Sequence, residues 1–368
     1  MARARRFLPM VIAFTLPLGF LGMLGVAAAA LYLVLFPRTL AQAPRPAVLA
    51  GVPLALVTLV STALAPTPNV GALLSAAGMA VLYTAGLAVM LAVATVGARD
   101  GLASAFVLGA TVLAGSVLLD ALLGWHRIPA GLFDSPDLHN WSAALMVLAW
   151  PLSLHLLLAK RKVWAGLSLL LLPSAVVASL SWSGLLGLTI AFPVYLLHPK
   201  GPIRGLVRAV GVLLLLAGAT VGFVKLEPRL GLLGDVLSGR ARIAAEGLEL
   251  AKLRPVLGWG YSVGRLEPAF AREPLGRYYV DDLALPHFHD LYVQTLFETG
   301  VVGFAALALL LAALVAVQTG SWSAATLGAM AGLLTALGLD YSWHVASILL
   351  SFFLVAAIGT QATKESSG

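Results

Sequence analysis

The chain has 368 residues, of which 60% are hydrophobic and only 11% are charged, and its mean hydropathy is +0.96. This composition excludes a soluble globular protein, in which about 25% of the residues are charged. Cysteine is absent, which excludes disulfide bonds, cysteine metal ligands and a thiolate nucleophile. Apolar runs of about 20 residues, each long enough to cross a bilayer core of ~30 Å, recur throughout the sequence. We therefore predict an all-α polytopic membrane protein.

The apolar runs predict about twelve transmembrane helices. Nine fall in residues 1–225, a long polar loop occupies 226–289, and three helices with a short cytoplasmic tail make up 290–368. The predicted spans are 7–20, 22–36, 47–65, 70–96, 101–124, 140–159, 163–181, 184–198, 205–225, 290–317, 322–339 and 344–361.

The first apolar run, residues 7–36, is interrupted by Pro17 and several glycines, so we predict two short helices that form a hairpin. One long tilted helix is an alternative, and it would invert the sidedness of everything that follows. A cleavable secretory signal ending after the alanines at 27–30 is a second alternative. The apolar stretch continues to Phe36, which favours an uncleaved anchor.

The basic residues follow the predicted topology. With the amino terminus inside, the cytoplasmic segments hold 13 basic residues and two acids, Asp100 and Glu365, for a net charge of +11. The remaining residues hold 10 basic and 14 acidic side chains, for a net charge of −4. This asymmetry is the positive-inside pattern of membrane proteins. The overall charge of +7 therefore indicates orientation, with both termini in the cytoplasm, and not a nucleic-acid partner.

Residues 226–289 form a predicted extracytoplasmic loop with eight basic and eight acidic side chains. A loop of this length usually has a structure or a function of its own. Ser238 and Gly239 predict the start of an amphipathic helix at about 239–253, which Pro255 ends. Because its apolar residues share one side, we expect the helix to lie on the membrane surface. A solvated surface helix held by salt bridges is the alternative.

A turn and a cationic, aromatic segment follow this helix. In the sequence Pro255-Val256-Leu257-Gly258-Trp259-Gly260, two glycines flank an aromatic residue and predict a sharp turn. Beyond it the loop is rich in arginine and tyrosine. Guanidinium groups bind phosphate oxygens and aromatic rings stack on sugars, so this segment suits a partner that carries both.

The loop re-enters the membrane at residues 287–290, His-Phe-His-Asp, which place imidazoles and a carboxylate at the membrane surface. Imidazoles exchange protons near neutral pH, so His289 is the candidate general base. Glu298 lies about two helical turns further on, at a depth where an acid is costly and indicates function; we expect it to orient other groups through hydrogen bonds. Asp120 and Asp340, near the outer ends of their spans, either line the same cavity or extend to the interface.

A divalent metal site is an alternative at this junction. It would use the histidines and Asp290 together with Asp281 and Asp282, but their spacing matches no specific metal site.

The motifs resemble a known family. The pair Gly239-Arg240, the turn at 255–260, and His289-Asp290-Leu291-Tyr292 with Glu298, Gly300 and Gly303 are similar to the signature of the O-antigen ligase and polymerase superfamily. The resemblance extends to Ser135-Pro136-Asp137-Leu138-His139-Asn140 and, in part, to Ser181-Trp182-Ser183-Gly184, so it covers roughly residues 135–305. The predicted twelve-span topology with both termini inside agrees with this family.

The resemblance implies a glycosyltransferase of the bacterial inner membrane. It implies transfer of a glycan from an undecaprenyl-diphosphate-type carrier to an acceptor hydroxyl on a lipid or glycan at the outer face, without a cofactor or an obligatory metal. Diphosphate leaves readily once its charge is neutralised, so such a site needs cations and a base. We expect His289 to be that base and Glu298 to support it. The residues expected to bind diphosphate and glycan are Arg240, Arg242, Arg265, Arg127, Asp290 and Tyr261.

Three positions depart from the family pattern. Trp182 stands where arginine is usual, Ala244 where tryptophan is common, and Asp290 where asparagine or serine is usual. The first two changes alter the phosphate contacts expected from the family. The third predicts a carboxylate partner for the His289 imidazole.

Two other function classes are compatible with a multi-pass membrane protein. A transporter or flippase of lipid-linked glycans is disfavoured because the sequence has no inverted repeat and its charges avoid the span centres. A peptidoglycan glycosyltransferase of the cell-elongation type has a similar histidine segment but lacks the Gly-Arg and Pro-x-x-Gly-x-Gly block. The acceptor, the sugars and a possible chain-length regulator are left open by the sequence.

Overall fold

The computed structural model describes residues 2–360 apart from 19–20, 67, 69, 97, 124–137, 180, 200–229 and 262–287. Within this part the chain is helical, and its only β pairing is an isolated bridge between Gln318 and Thr360. The helices are α1 Ala2–Thr15, α2 Gly22–Leu35, α3 Arg45–Ala63, α4 Val70–Val96, α5 Arg99–Leu123, α6 Leu138–Leu158, α7 Ala165–Ala178, α8 Trp182–Leu197, α9 Leu230–Leu253, α10 Leu291–Ala316, α11 Ser323–Leu337 and α12 Ala346–Ile358. A π-helical turn, Leu82–Gly86, interrupts α4, and a short 3-10 helix, Pro37–Gln42, precedes α3.

The described helices confirm an all-α, multi-pass membrane protein. Five of them, α3, α4, α5, α6 and α10, are long and apolar enough to cross a bilayer, and five shorter apolar helices accompany them. Large apolar side chains such as Val34 and Leu170 are exposed on the surface of the bundle, as expected where lipid replaces water. The predicted span 205–225 lies outside the described residues. The total of about twelve spans and their sidedness therefore stay predictions.

The first apolar run forms two helices, as predicted from its glycines and proline. Helix α1 ends at Thr15, and α2 begins at Gly22 and packs back against α1. Leu16 lies directly against Gly22 and Gly25 at this reversal, where larger residues would collide with it. The small glycines thus allow the two short helices to contact each other.

Helix α12 forms the centre of the bundle. Every residue from Ser347 to Ile358 is buried, because α12 packs against α2, α4, α6 and α11 at once. A helix that is apolar on all sides is stable only when protein or lipid surrounds it. The Trp343 ring at its amino-terminal end packs edge-on against Phe352, with ring centroids 5.1 Å apart.

Close helix packing beside this centre depends on small residues. Helices α8 and α11 meet where Gly187 faces Gly332, and a methyl group on either one would lie within 2.8 Å of the other's carbonyl oxygen. Small residues let helix backbones approach closely in membranes, where dispersion contacts replace the hydrophobic effect as the driving force.

The two ends of the bundle carry separate polar clusters. At one end Asp100 of α5 accepts from Lys160 Nζ at 3.1 Å and from Trp322 Nε1 at 3.1 Å. These residues belong to segments for which the charge pattern predicts a cytoplasmic location. The other end gathers Thr62, the turn at 255–260, the junction at 288–290 and the segment 338–345. We call residues 338–345 the α11–α12 connection.

The surface helix of the long loop begins earlier than the sequence indicated. It ends at Leu253, the predicted limit, but it starts at Leu230 instead of about residue 239. Ser238 and Gly239 therefore lie inside the helix and do not cap it. One glycine costs a helix only about 1 kcal/mol, and leucines on both sides of it favour continuation. Helix α9 packs against α10.

Candidate functional site

The turn at 255–260 is joined to a break in helix α10. At Gly300 the helix departs from helical geometry, with φ 63° and ψ −167°. The backbone of the turn bonds the groups that this break leaves open: Trp259 N donates to Phe297 O at 2.8 Å, and Gly260 N donates to Glu298 O at 2.9 Å. In return Val301 N donates to Pro255 O at 2.8 Å. Such pairing is needed at membrane depth, where no water satisfies a broken helix.

Both the turn at 255–260 and the break in α10 need a glycine where their backbones meet. Gly258 and Gly300 both have positive φ, at 67° and 63°, a region that L side chains rarely adopt. A methyl group on Gly258 would overlap the backbone of Phe297, and one on Gly300 would overlap the backbone of Val256. The Pro-x-x-Gly-x-Gly and Glu-x-Gly motifs are therefore two halves of one backbone contact.

His289 lies immediately before α10 in a strained conformation. Its φ is 51°, which few residues other than glycine adopt and which costs about 1–3 kcal/mol unless the surroundings impose it. Its side chain is 19% exposed, and Nδ1 lies 4.0 Å from Asp340 Oδ1. At this distance the two side chains form an ion pair when the imidazole is protonated. The strained backbone thus presents a partly accessible imidazole to a buried carboxylate.

Asp290 has a different role from the one its position next to His289 predicted. Its Oδ1 accepts from Tyr292 N at 2.7 Å and from Val293 N at 2.9 Å, so it is the N-cap of α10. Burial raises the pKa of the Asp290 carboxyl, and the two backbone bonds oppose that rise. The carboxylate found 4.0 Å from the imidazole Nδ1 is that of Asp340.

Asp340 lies in the α11–α12 connection, where it is only 3% exposed. Ser342 Oγ donates to its Oδ2, and Oδ1 faces His289. Arg240 of α9 reaches the same segment and donates from Nη1 to the carbonyl of Leu339. The predicted diphosphate-binding arginine and the predicted base are therefore brought to the same segment of chain, although 49 positions separate them in sequence.

Glu298 is 4% exposed and is held by hydrogen bonds on both oxygens. Gln294 Nε2 donates to Oε1 at 2.9 Å, and the Tyr341 hydroxyl donates to Oε2 at 3.3 Å. Gln294 also accepts from the Phe288 backbone N–H at 2.9 Å. Glu298 is thus connected through Gln294 to the backbone of Phe288 and directly to Tyr341, and its orienting role stays a prediction.

Tyr261 belongs to the same network. Its backbone N–H donates to Thr62 Oγ1 at 2.8 Å, and its hydroxyl is hydrogen-bonded to Tyr341. Burial, and then the nearby Glu298 carboxyl, raise the pKa of both tyrosines well above its usual range. Tyr261 was predicted to contact the glycan, but its ring is 7% exposed and packs inside the protein.

The weaker upstream motifs meet at a second polar cluster. Asn140, in the first turn of α6, accepts at Oδ1 from Ser181 Oγ at 2.8 Å and from Ser183 Oγ at 3.3 Å. Ser181 also caps α8 by accepting from Gly184 N at 3.2 Å. All three side chains are buried. The two segments that carried the upstream resemblance therefore pack against each other.

Several predicted site residues lie outside the described part of the chain. They are Arg127, Arg265, His287, Asp281 and Asp282, together with the side chain of Arg242. Among the residues that the structure does describe, no group of three or more metal-ligating side chains occurs. Asp120, half-buried in the last turns of α5, belongs to the described residues.

Two contributors to the site were not predicted from the sequence. Gln294 lies one helical turn before Glu298, so an i, i+4 pair of polar residues in an apolar helix was a usable signal. Tyr341 directly follows Asp340 and carries no motif of its own.

Comparison with known proteins agrees with the motifs. Residues 142–308 match the family model described as O-antigen ligase. The exopolysaccharide production protein ExoQ of Rhizobium meliloti (strain 1021) is 31% identical over 78 residues, which are 21% of this chain and 18% of that protein. The chain thus aligns with less than a fifth of the length of that relative. Both comparisons support the resemblance that the motifs indicated, and the match to the O-antigen ligase model spans residues 142–308.

Proposed function

We propose that this protein transfers a glycan from a polyprenyl-diphosphate carrier to an acceptor hydroxyl at the outer face of the bacterial inner membrane. The observation that carries the proposal is the arrangement of His289, which faces the buried Asp340 while Arg240 bonds the adjacent carbonyl. A base, a carboxylate to stabilise its protonated form, and a cation are the groups that this reaction needs.

His289 acts as the base in this reaction. Nδ1 faces Asp340, and we assign to Nε2 the role of taking the proton from the acceptor hydroxyl. The acceptor oxygen forms a bond to the anomeric carbon while the bond from that carbon to the diphosphate oxygen breaks. The proton moves to Nε2, and the resulting imidazolium is stabilised by the Asp340 carboxylate. The carrier leaves as its diphosphate.

Arg240 neutralises the leaving diphosphate. Within the described residues its guanidinium makes one hydrogen bond, to Leu339 O, which leaves most of its five N–H donors for phosphate oxygens. Arg242 follows on the same helix, and Arg265 and Arg127 are further candidates from the same side of the membrane. The apolar carrier tail would remain among lipids beside the bundle.

Glu298 supports the reaction from a distance. Its bonds through Gln294 and Tyr341 hold the backbone before His289 and the connection that carries Asp340. The carboxyl has no free path to a substrate because it is buried, so it positions the reacting groups and does not contact them.

The relative's name indicates a product class. ExoQ is named for exopolysaccharide production, and we propose an exported or envelope polysaccharide as the product here. The acceptor is then a growing glycan or a lipid-linked core, and a chain-length regulator is a possible partner of the first kind of reaction.

The proposal is tested by transfer in vesicles. The purified protein is reconstituted with the glycolipid pool extracted from its native membrane and a labelled acceptor fraction from the same source. General-base loss costs ~10²–10⁴ in rate, so His289→Gln is expected to be nearly inactive while it still binds the carrier.

The matched control is His155→Gln, a buried histidine at the opposite end of the bundle, which should leave transfer unchanged. Repeating the assay with a strong chelator separates the base from the metal alternative, since loss of activity would indicate a metal. A wild-type protein that moves labelled glycolipid across the vesicle without forming a new glycosidic bond would support the transporter instead.

A further inference from the structure

Helix α4 carries a π-helical turn whose location calls for an explanation. The turn, Leu82–Gly86, replaces one stretch of regular helix in the middle of a predicted span. Such turns are rare and occur often at functional sites. The backbone of Tyr83 packs directly on Gly51 of α3, where any larger residue would overlap the Tyr83 carbonyl oxygen. The turn and the glycine together fix where the Tyr83 side chain lies.

The Tyr83 hydroxyl is bonded to the α11–α12 connection. Trp343 Nε1 donates to it at 3.1 Å, and both side chains are buried, with exposures of 5% and 1%. Trp343 lies three positions after Asp340, the residue that faces His289. One hydrogen bond therefore connects α4 with the segment that presents the carboxylate.

Tyr83 also lies beside the Glu298 network. After burial and the Glu298 carboxyl, the Tyr83 hydroxyl contributes to the raised pKa of Tyr261 and of Tyr341. Because the Tyr83 oxygen accepts a hydrogen bond from Trp343, its own O–H remains a donor. Tyrosines from three separate segments thus lie near Glu298, and Tyr341 among them is hydrogen-bonded to it.

We propose that Tyr83 is a positioning residue of the transferase site, which fixes Trp343 and thereby the connection that presents Asp340 to His289. The inference rests on the proposed function. It assigns a role to the amino-terminal half of the chain, since Tyr83 lies outside residues 142–308 that match the ligase family. The site is then assembled from both halves of the molecule.

The test removes one hydroxyl. Tyr83→Phe keeps the ring and its packing, so the unfolding temperature should change little while the transfer kcat falls roughly tenfold at unchanged KM. Tyr195→Phe and Tyr32→Phe are matched controls, because both rings are fully buried and neither hydroxyl has a hydrogen-bond partner among the described residues. These controls should keep full kcat.

A double variant identifies the route of the effect. If Tyr83 acts through the connection, Tyr83→Phe should cause no further loss when Asp340→Asn is already present, since effects of residues that act as a unit are not additive. Fully multiplicative losses, or a Tyr83→Phe kcat equal to that of Tyr195→Phe, would overturn the proposal.

A second measurement does not depend on transfer. Modification of His289 by diethyl pyrocarbonate, followed by mass spectrometry of its peptide, reports how tightly the imidazole is held. Tyr83→Phe should raise the modification rate several-fold, and the two control variants should not. If the wild type transfers no glycan but this difference persists, the proposed function fails and the positioning role stands. An unchanged modification rate counts against the positioning role whatever the activity.

Discussion

The two ends of the bundle each hold a histidine, a carboxylate and a cation, but their geometries differ. His155 sits in the regular helix α6, 3% exposed, with its ring 4.3 Å from that of Trp322. Neither of its ring nitrogens has a hydrogen-bond partner among the described residues. His289 has a positive φ, is partly accessible, and faces Asp340 at 4.0 Å. We therefore assign the proposed proton transfer to His289 and not to His155.

The carboxylates account for most of this difference. Asp100 accepts from both Lys160 and Trp322, so the nearby cation offsets its charge. Asp340 is bonded by Ser342 and directs its other oxygen toward His289, while the arginine at that end bonds a backbone carbonyl. At this end the arginine bonds the backbone and the carboxylate faces the imidazole. The same residue types therefore form an ion-paired cluster at one end and, in the proposed function, a reactive cluster at the other.

The largest effect is expected when the two carboxylates are neutralised in turn. Asp340→Asn should reduce the transfer kcat by about 10²-fold, because an amide cannot stabilise the imidazolium formed as the acceptor loses its proton. Asp100→Asn should stay within about twofold of the wild type. Single-turnover assays in vesicles measure both rates, and equal losses in the two variants would remove the distinction between the two ends.

The arginine at the reactive end should have the next largest effect. A charge-assisted contact with phosphate is worth about 1.5–3 kcal/mol, so Arg240→Ala should reduce kcat/KM by one to two orders of magnitude. Arg254→Ala is the control, since Arg254 lies nearby over the Trp259 ring at 5.6 Å. Titration of transfer against carrier concentration would separate them, and similar losses would indicate a general effect of surface charge.

Much of the architecture was predictable from the sequence because membrane helices are specified by length and hydropathy. Apolar runs of span length, the glycines between α1 and α2, and the end of α9 at Leu253 were all sufficient signals. The start of α9 could not be predicted in this way. The capping signals at Ser238 and Gly239 are local, and the helix continues through both residues. Local propensity is a weak guide wherever packing against another helix decides the outcome.

The site was predicted in its motifs but not in its pairings. The sequence placed His289, Glu298 and Arg240 in one region, because family motifs and charge indicated them. Adjacency suggested Asp290 as the carboxylate beside the imidazole, whereas the fold brings Asp340, one of two acids expected near the outer ends of their spans, to 4.0 Å from Nδ1. Contacts of this kind depend on which helix ends meet, and no periodicity in the sequence encodes that.

The broken helix of the reactive end gives a third test. Gly300→Ala places a methyl group against the Val256 backbone at φ 63°, which should lower the free energy of unfolding by about 1–3 kcal/mol. Gly115→Ala is the matched control, because it lies in α5 with open space around it and should be neutral or slightly stabilising. Thermal unfolding in detergent compares the two variants. Equal thermal unfolding midpoints for the two variants would show that the contact between the turn at 255–260 and the break in α10 tolerates a side chain.

The smallest effect is expected at the other histidine. His155→Phe replaces a buried ring that lacks hydrogen-bond partners with an apolar ring of similar size against Trp322. Removing a buried polar group without a partner is neutral or stabilising, so the unfolding temperature should stay constant or rise, and transfer should remain within about twofold of the wild type. His289→Phe, measured in parallel, should keep its stability and lose its activity. A large loss of transfer in His155→Phe would mean that the inner cluster also takes part in the reaction, and the contrast between the two ends would then be one of degree.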